Sequence, residues 1–407
     1  MPRSLPPVAS LLALLALLAL AACPTKREDG SAQTPESQAE DDAGPVAQLP
    51  SLEAPDEDEE AAHHVVFADR TSQTYLLLLP GEPGPAPTRE ELAAEVRKAL
   101  EGAEDEPEVE LLLQLIASEP APPATAPDLT PEERESIRHR DLLGLHVDLL
   151  PLAEQGQDAL IPLEVLRDPI STRALSDEER ASLPARRWVL VLQAHYRNRY
   201  ALRGLRLLQT LVRIAARDRG ALIHDPDTGE TVGVDVFSER RLQSTVGNVA
   251  DQVIVVPFPD PRHGEGFVRL ATRGMRRFGA VDLELDGLPA DPRILEAATH
   301  LVYGVAYRMV RDGEYDQEGF AVEADDVIEL QRLDVERAYA GREGRVPRCE
   351  GCPQRTRLHL VERPEEDHDP VDHVVARIVA PRKESDAPGY DQPEWVLQAL
   401  SDLLGVP

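Results

Sequence analysis

The spacing of apolar residues changes several times along residues 63–407, and each spacing predicts a type of element. Between residues 201 and 217 apolar side chains recur at four- and three-residue intervals, which places them on one face of a helix. Over residues 281–285 they alternate strictly with polar ones, the pattern of a strand with one buried face. Shorter apolar runs predict further strands over residues 65–67, 75–79, 143–150, 188–195, 221–224, 252–258, 327–333, 358–361 and 374–379. A polar turn is predicted between the first two of these strands.

Capping residues mark where helices begin. Thr88, Thr130 and Ser176 each stand three positions before a Glu, and this capping box satisfies two backbone donors at a helix N-terminus. Asp291, which is followed by a proline, and Asp391, which stands three positions before a Glu, predict the N-caps of two more helices. The sequence therefore predicts at least five capped helices.

Strands and helices alternate without the regular βαβ order of a parallel sheet. Residues 266–278 predict an amphipathic helix between two strands, whereas residues 108–117 are apolar without a clear period. The expected fold class is α+β, with mixed sheets and packed amphipathic helices. We divide the folded part into two units, residues 63–183 and residues 184–407.

An acidic, polar segment precedes the folded part. Residues 24–62 hold twelve acidic residues against Lys26 and Arg27, and almost no large apolar residue. Such a segment buries too little surface to offset its ordering entropy, so residues 23–62 are predicted to form a disordered tether. As a random coil this tether would reach roughly 35 Å.

Composition and net charge exclude some classes of binding partner. Hydrophobic residues make up 42% of the chain but aromatic residues only 4%, so the core must consist mostly of Leu, Val and Ala. The formal net charge is −31, and most of it remains in residues 63–407 after the tether is set aside. A body this acidic is repelled by nucleic acid and by anionic lipid headgroups. No nucleic-acid partner is therefore expected.

The first 23 residues have the pattern of an export signal. Arg3 precedes a Leu/Ala-rich run that ends in Leu20-Ala21-Ala22-Cys23, and this ending resembles the lipobox of bacterial lipoproteins. The resemblance implies removal of residues 1–22, a lipid on Cys23 and attachment to a membrane. The alternative is an ordinary secretory signal, and the run of about 15 apolar residues is too short for a transmembrane helix. Pro24 after the cysteine implies, by resemblance, the outer membrane facing the periplasm.

The middle of the chain, residues 188–309, carries a second resemblance. Its most specific stretches are Gly220-Ala-Leu-Ile-His-Asp-Pro226 and Ala271-Thr-Arg-Gly-Met-Arg-Arg-Phe-Gly279. These resemble uncharacterised bacterial domain proteins. The resemblance covers under a third of the chain, supports a domain boundary and implies no activity.

Cys349 and Cys352 form a C-x-x-C pair in a compartment that should be oxidising. Prolines flank the pair, which favours a loop and a structural disulfide. Two alternatives stay open: a redox-active thiol pair, which needs one thiol of lowered pKa, and a metal site, which needs two further ligands. The downstream histidines are His359, His368 and His373, and their spacing matches no zinc-finger pattern.

Two charged stretches could bind ions. Arg197, Arg199 and Arg203 form a basic island between a strand and a helix N-terminus, which makes an anion-binding site one hypothesis and pairing with neighbouring acids another. Arg pairing with acids is also predicted for Arg269, Arg273, Arg276 and Arg277. The acidic residues 312–323 are spaced like a calcium loop, but Gln rather than Gly stands at its sixth position, so a solvated loop is predicted.

The motifs of common enzyme classes are absent from the sequence. There is no G-x-S-x-G, H-E-x-x-H, G-x-x-x-x-G-K-[ST] or G-x-G-x-x-G. We therefore predict no catalytic residue, no metal ligand and no cofactor, and expect a non-enzymatic envelope protein that binds another protein or has a structural role. The alternatives are a thiol-disulfide oxidoreductase using Cys349 and Cys352, and an anion-binding module at the basic island.

Overall fold

All three predicted capping boxes begin helices in the computed structural model of the chain. The Thr88 hydroxyl accepts a hydrogen bond from the backbone of Glu91, and the Glu91 carboxylate accepts one from the backbone of Thr88. The boxes at Thr130 and Ser176 form in the same way. The structure describes residues 68, 70–103, 105–122, 129–152, 160–198, 203–242, 249–312, 327–339, 344–347, 349, 351–364, 366, 369 and 374–406. The predicted signal and tether lie outside these residues.

Helices and strands both contribute, so the predicted α+β class is confirmed. The strands are β1 Arg70–Pro80, β2 Leu142–Pro151, β3 Arg186–Arg197, β4 Leu222–Asp225, β5 Glu230–Val232, β6 Ile254–Pro259, β7 Phe267–Arg273, β8 Asp282–Pro289, β9 Ile328–Gln331, β10 Arg355–Arg363 and β11 Val375–Val379. The helices are α1 Arg89–Ala99, α2 Pro107–Ala117, α3 Pro131–His139, α4 Leu163–Arg167, α5 Asp177–Ser182, α6 Arg203–Arg219, α7 Val234–Phe237, α8 Val249–Gln252, α9 Pro292–Asp312, α10 Arg332–Ala338, α11 Arg382–Ser385 and α12 Gln392–Leu404. Short 3₁₀ turns cover Leu183–Ala185 and Met275–Phe278, and a π-helical turn covers Ser238–Leu242.

The first sheet has five strands in the order β2-β3-β1-β4-β5, with every neighbouring pair antiparallel. Its central strand, β1, pairs with β3 from Arg70 opposite Arg197 to Leu79 opposite Trp188. The predicted polar turn before residue 75 is therefore wrong. Thr71 and Gln73 are polar but buried, and strand pairing on the β3 side outweighs their local preference for a turn.

The second sheet has six strands in the order β6-β7-β8-β11-β10-β9. Only β8 and β11 run parallel, and the other neighbouring pairs are antiparallel. Helices α9 and α12 pack against β8, and the alternating residues Leu283 and Leu285 are buried in the main core. One face of this sheet is therefore apolar.

The helix predicted over residues 266–278 is wrong. Residues 267–273 form β7, and a 3₁₀ turn over 275–278 leads into β8. Arginines four apart at 269 and 273 resemble one polar helix face, but in the strand Leu270 pairs with Leu285 of β8. Pairing with a neighbouring strand overrides the helical spacing here.

Strand pairing crosses the predicted boundary between residues 183 and 184. β1 and β2 precede it and β3 follows it, yet all three strands belong to the first sheet. The second sheet uses only residues 254–379, and residues 64–407 group as one compact unit. The boundary at 183/184 therefore does not separate the two sheets.

A single hydrophobic core extends through both sheets. Leu77 of β1, Leu208 of α6, Leu283 of β8 and Val302 of α9 belong to the same buried cluster. A smaller cluster lies on the opposite face of the first sheet, beneath residues 160–185. The turn between β7 and β8 joins the sheets directly, because Tyr196 of β3 donates a hydrogen bond to the carbonyl of Arg277 at 2.9 Å.

Candidate functional site

The C-x-x-C pair forms a disulfide between Cys349 and Cys352. It lies against the C-terminal end of α12. A Cβ added to Gly405 would come within 2.7 Å of the Cys349 sulfur, and the Cys352 sulfur lies 3.9 Å from the carbonyl of Leu403. A helix C-terminus carries partial negative charge, which disfavours a thiolate. These surroundings suit a structural cross-link better than an activated thiol.

No zinc site forms around the two cysteines within the part of the chain that the structure describes. His359 lies on β10. His368 and His373, and all but the first residue of the predicted acidic loop at 312–323, lie outside the described residues.

Within the described residues, the arginines of the basic island do not form one exposed surface. Arg197 is buried and donates hydrogen bonds to the carbonyls of Ile137 at 3.1 Å and Arg140 at 3.0 Å, which holds the end of α3. Arg203 lies 3.8 Å from Glu108 of α2, and Arg199 lies outside the described residues. For Arg197 the structure therefore favours a structural role over anion binding, because backbone carbonyls take up its donors.

Strand β8 places three acids on the polar face of the second sheet. Asp282, Glu284 and Asp286 alternate with core leucines, yet none is exposed by more than 2%. Burying an ionised carboxylate without a partner is costly, so each of these groups needs hydrogen-bond donors nearby. Asp282 accepts hydrogen bonds from the Thr272 hydroxyl and the Met275 backbone, whereas the donors to Glu284 and Asp286 are arginines.

Glu284 is held by arginines from three directions. Its Oε1 lies 2.9 Å from Arg262, and its Oε2 lies 2.7 Å from Arg269 and 3.0 Å from Arg363. Asp286 Oδ2 lies 3.0 Å from Arg262 and 2.5 Å from Arg377 of β11. We name the set Arg262, Arg269, Glu284, Asp286, Arg363 and Arg377 the sheet-face cluster.

A second charged network lies where the two sheets meet. Arg277 has no exposed surface and holds both carboxylate oxygens of Asp225, at 3.0 and 2.9 Å. Arg241 lies 3.4 Å from the same carboxylate. Gln209 donates to Tyr75 and to Gln252, both at 2.8 Å. We name the set Tyr75, Gln209, Asp225, Arg241, Gln252 and Arg277 the junction network.

Electrostatics fixes the protonation of the junction network. Burial alone would raise the pKa of Asp225, but the charges of Arg277 and Arg241 outweigh burial and hold that pKa below its usual range. Burial raises the pKa of Tyr75 to about 12, and burial lowers the pKa of the neighbouring His224 to about 4. At neutral pH the network therefore holds a charged Asp225 and a neutral Tyr75, and the neighbouring His224 is neutral.

The predicted pairing of the arginines is confirmed for three of the four. Arg269 pairs with Glu284, Arg277 pairs with Asp225, and Arg276 lies 2.8 Å from Asp227. In both networks every guanidinium contacts at least one carboxylate. We interpret the networks as structural, because each charged group has a partner of opposite sign within the protein.

A surface groove among the described residues lies beside the disulfide. It measures about 700 Å³ and lies between β10 and α12. Its lining includes the mostly buried Trp395, the cations Arg355, Arg357 and Lys383, and the acids Glu329, Glu384 and Asp402. The backbone of Gln354 donates a hydrogen bond to the carbonyl of Asp402 at 2.8 Å, and this bond holds the segment after Cys352 against α12. The disulfide thus lies next to one wall of this groove.

A smaller groove lies where the chain enters the folded body. It measures about 470 Å³ and is lined by the start of β1 and by residues 276–282. Ala68 donates a backbone hydrogen bond to the carbonyl of Gly279, whose φ is +74°. A Cβ at Gly279 would lie 2.1 Å from the Ala68 carbonyl oxygen, so only glycine fits this approach. Neither groove is lined by a histidine or a cysteine among the described residues.

Sequence reasoning missed both the groove and the burial of the acids on β8. The alternating D-L-E-L-D of residues 282–286 predicts a strand with a solvent-facing side. The arginines at 262, 269, 363 and 377 come from four separate segments, and no local spacing links them. One group in the described part of the chain has the composition of a metal site: Asp260, His263 and Asp286.

Comparison with known proteins adds no relative. No protein family, no curated protein and no solved structure matches this chain. Within the described residues no helix is both long and apolar enough to cross a membrane.

Proposed function

We propose that this chain is a lipid-anchored protein of the cell envelope whose folded body is a non-enzymatic binding module. The anchor is proposed from the Leu20-Ala21-Ala22-Cys23 sequence, and its placement in the outer membrane facing the periplasm from Pro24. The acidic residues 24–62 would then separate the body from the membrane surface. The absence of enzyme motifs from the sequence supports a binding role.

The groove beside the disulfide is the observation that carries this proposal. Protein interfaces are enriched in Arg and have a polar rim, and this groove places Arg355 and Arg357 near acids of the opposite sign, beside the mostly buried Trp395. Lys383 lies on the same surface, in a chain with only three lysines. We propose that the groove contacts a protein partner in the envelope, with the disulfide holding its wall in place.

A charge reversal in the groove tests this role. We expect the double substitution Arg355→Glu and Arg357→Glu to reduce partner crosslinking at least tenfold, because two interface arginines each contribute upwards of about 1 kcal/mol. Crosslinking is measured in cells with a photoreactive amino acid at Gln398, which lines the groove. The adduct is quantified by mass against the free chain.

Arg293→Glu is the matched control, because its side chain is 84% exposed and does not line the groove. It changes the charge in the same way and should leave the adduct unchanged. A photoreactive residue at position 293 should give no discrete adduct. Equal crosslinking by the double variant and the wild type would overturn the groove as the binding surface.

The lipid anchor has an independent test. Cys23→Ser removes the thiol that would carry the lipid. We therefore expect this variant to lose palmitate labelling completely, to keep residues 1–22 and to lose the membrane attachment that the lipid on Cys23 would provide. Labelling, mass and resistance to alkaline extraction of membranes are measured for both proteins. A Cys23→Ser protein that is cleaved normally and still fractionates with membranes would refute the lipoprotein proposal.

A further inference from the structure

The loop between β6 and β7 brings a histidine over the end of β8. Asp260 follows β6, His263 lies in the loop, and Asp286 lies near the end of β8. Each of the three offers one ligand atom, and these three atoms lie within 4.8 Å of one another. The loop and the strand thus place one nitrogen and two carboxylates around a common point.

Asp286 has an unused acceptor in this group. The residue has no exposed surface, and its Oδ2 is occupied by Arg262 and Arg377. Its Oδ1 is buried and has no hydrogen-bond partner in the described part of the chain. An unsatisfied buried oxygen is destabilising, and a bound ion in contact with it would satisfy it. This observation is independent of the spacing of the three residues.

Asp260 and His263 lie close to the separation of neighbouring metal ligands. Nδ1 of His263 lies 2.7 Å from Oδ2 of Asp260, and tetrahedral ligands bound to one ion at 2.0–2.2 Å stand about 3.4 Å apart, so the two atoms would have to move apart by less than about 1 Å. The same Oδ2 accepts a hydrogen bond from the backbone of Gly287 at 2.8 Å, which fixes the carboxylate. A metal ion would take the place of the proton between these two atoms, and the ring would keep its proton on Nε2.

The donor set indicates which ions fit. Mg²⁺ and Ca²⁺ prefer oxygen ligands alone, whereas one imidazole with two carboxylates suits Zn²⁺ and other divalent first-row transition ions. Asp260 and Asp286 supply negative charge to such an ion, and Asp286 shares its charge with Arg262 and Arg377. Arg262 and Arg377 compete for Asp286, but their side chains are 30% exposed and reach the solvent.

We propose that Asp260, His263 and Asp286 bind one divalent transition-metal ion. His263 is part-exposed in its loop, so the ion can enter without unfolding the sheet. This site is separate from the groove, and its test does not depend on a partner protein.

Zn²⁺ binding by the full chain in detergent, with its disulfide intact, tests the proposal. We expect one Zn²⁺ per chain by competition with a chromogenic chelator, and at least tenfold weaker binding for His263→Gln and for Asp286→Asn. Asp286→Asn disturbs a buried ion pair, so the fold of this variant is checked by circular dichroism. If Asp286→Asn unfolds, the Zn²⁺ affinity of His263→Gln, a substitution in the loop, decides the test. Co²⁺ in place of Zn²⁺ should give visible absorption bands that His263→Gln removes.

His139→Gln is the matched control, because His139 is an exposed histidine beside Glu135. It should bind Zn²⁺ as the wild type does. Three results would each overturn the site: no Zn²⁺ bound by the wild type, unchanged affinity in His263→Gln, or equal affinity for Ca²⁺.

Discussion

Replacing Arg277 with methionine should lower the free energy of unfolding by about 3–5 kcal/mol, the usual cost of leaving a buried charge without its partner. Arg277 holds both oxygens of Asp225 inside the junction network, where water cannot replace it. Methionine fills much of the same volume, so the loss reports charge more than a cavity. Urea unfolding followed by circular dichroism, at constant pH and salt, measures the change.

A second substitution separates charge from packing. Asp225→Asn added to Arg277→Met removes the carboxylate that has lost its bidentate partner and, among the described residues, keeps only the Arg241 guanidinium at 3.4 Å, so the double variant should regain at least about 1 kcal/mol over the single one. Arg293→Met, at an exposed position, should change stability by less than about 0.5 kcal/mol. If Arg277→Met costs as little as Arg293→Met, the junction network does not hold the sheets together.

Glu284→Gln should lower the free energy of unfolding by about 3 kcal/mol or more. The change keeps the side-chain shape but removes the negative charge at the centre of the sheet-face cluster, leaving Arg269 and Arg363 buried with fewer acids. The same urea titration measures it. Because the group is buried, raising the salt concentration should reduce the difference only slightly.

Glu329→Gln provides the comparison for this substitution. Glu329 is an acid at the protein surface, 3.8 Å from Arg357, with 40% of its side chain exposed. Exposed pairs contribute about 0–1 kcal/mol, and salt screens them. Similar losses for Glu284→Gln and Glu329→Gln would contradict the structural role of the sheet-face cluster.

Local chemistry predicted most element starts in this chain. The capping boxes at Thr88, Thr130 and Ser176 act within four residues, so they need no knowledge of the rest of the fold. The prediction failed where a distant strand decides the conformation. Residues 267–273 form a strand because β8 lies beside them, although their arginines are spaced as on a helix.

The candidate sites depended even more on distant contacts. The pairing of Cys349 with Cys352 could be predicted from two residues three positions apart, and the structure forms that bond. The surroundings of Arg197 could not be predicted in this way, because its guanidinium donates hydrogen bonds to the end of α3, nearly sixty residues earlier. The same holds for Glu284, whose three arginines lie on a loop, on β7 and on β10.

The place where the chain enters the body has a mechanical consequence. Any tension on the residues ahead of Ala68 passes directly into β1, the central strand of the first sheet. That strand is paired with β3 from Arg70 to Pro80 but with β4 only over Leu76–Leu78, so among the described strands its first six residues are paired on one side alone. A pull from the N-terminus therefore loads the pairing of these six residues with β3 first, and a force-extension experiment should find that end of β1 the first part of this sheet to yield.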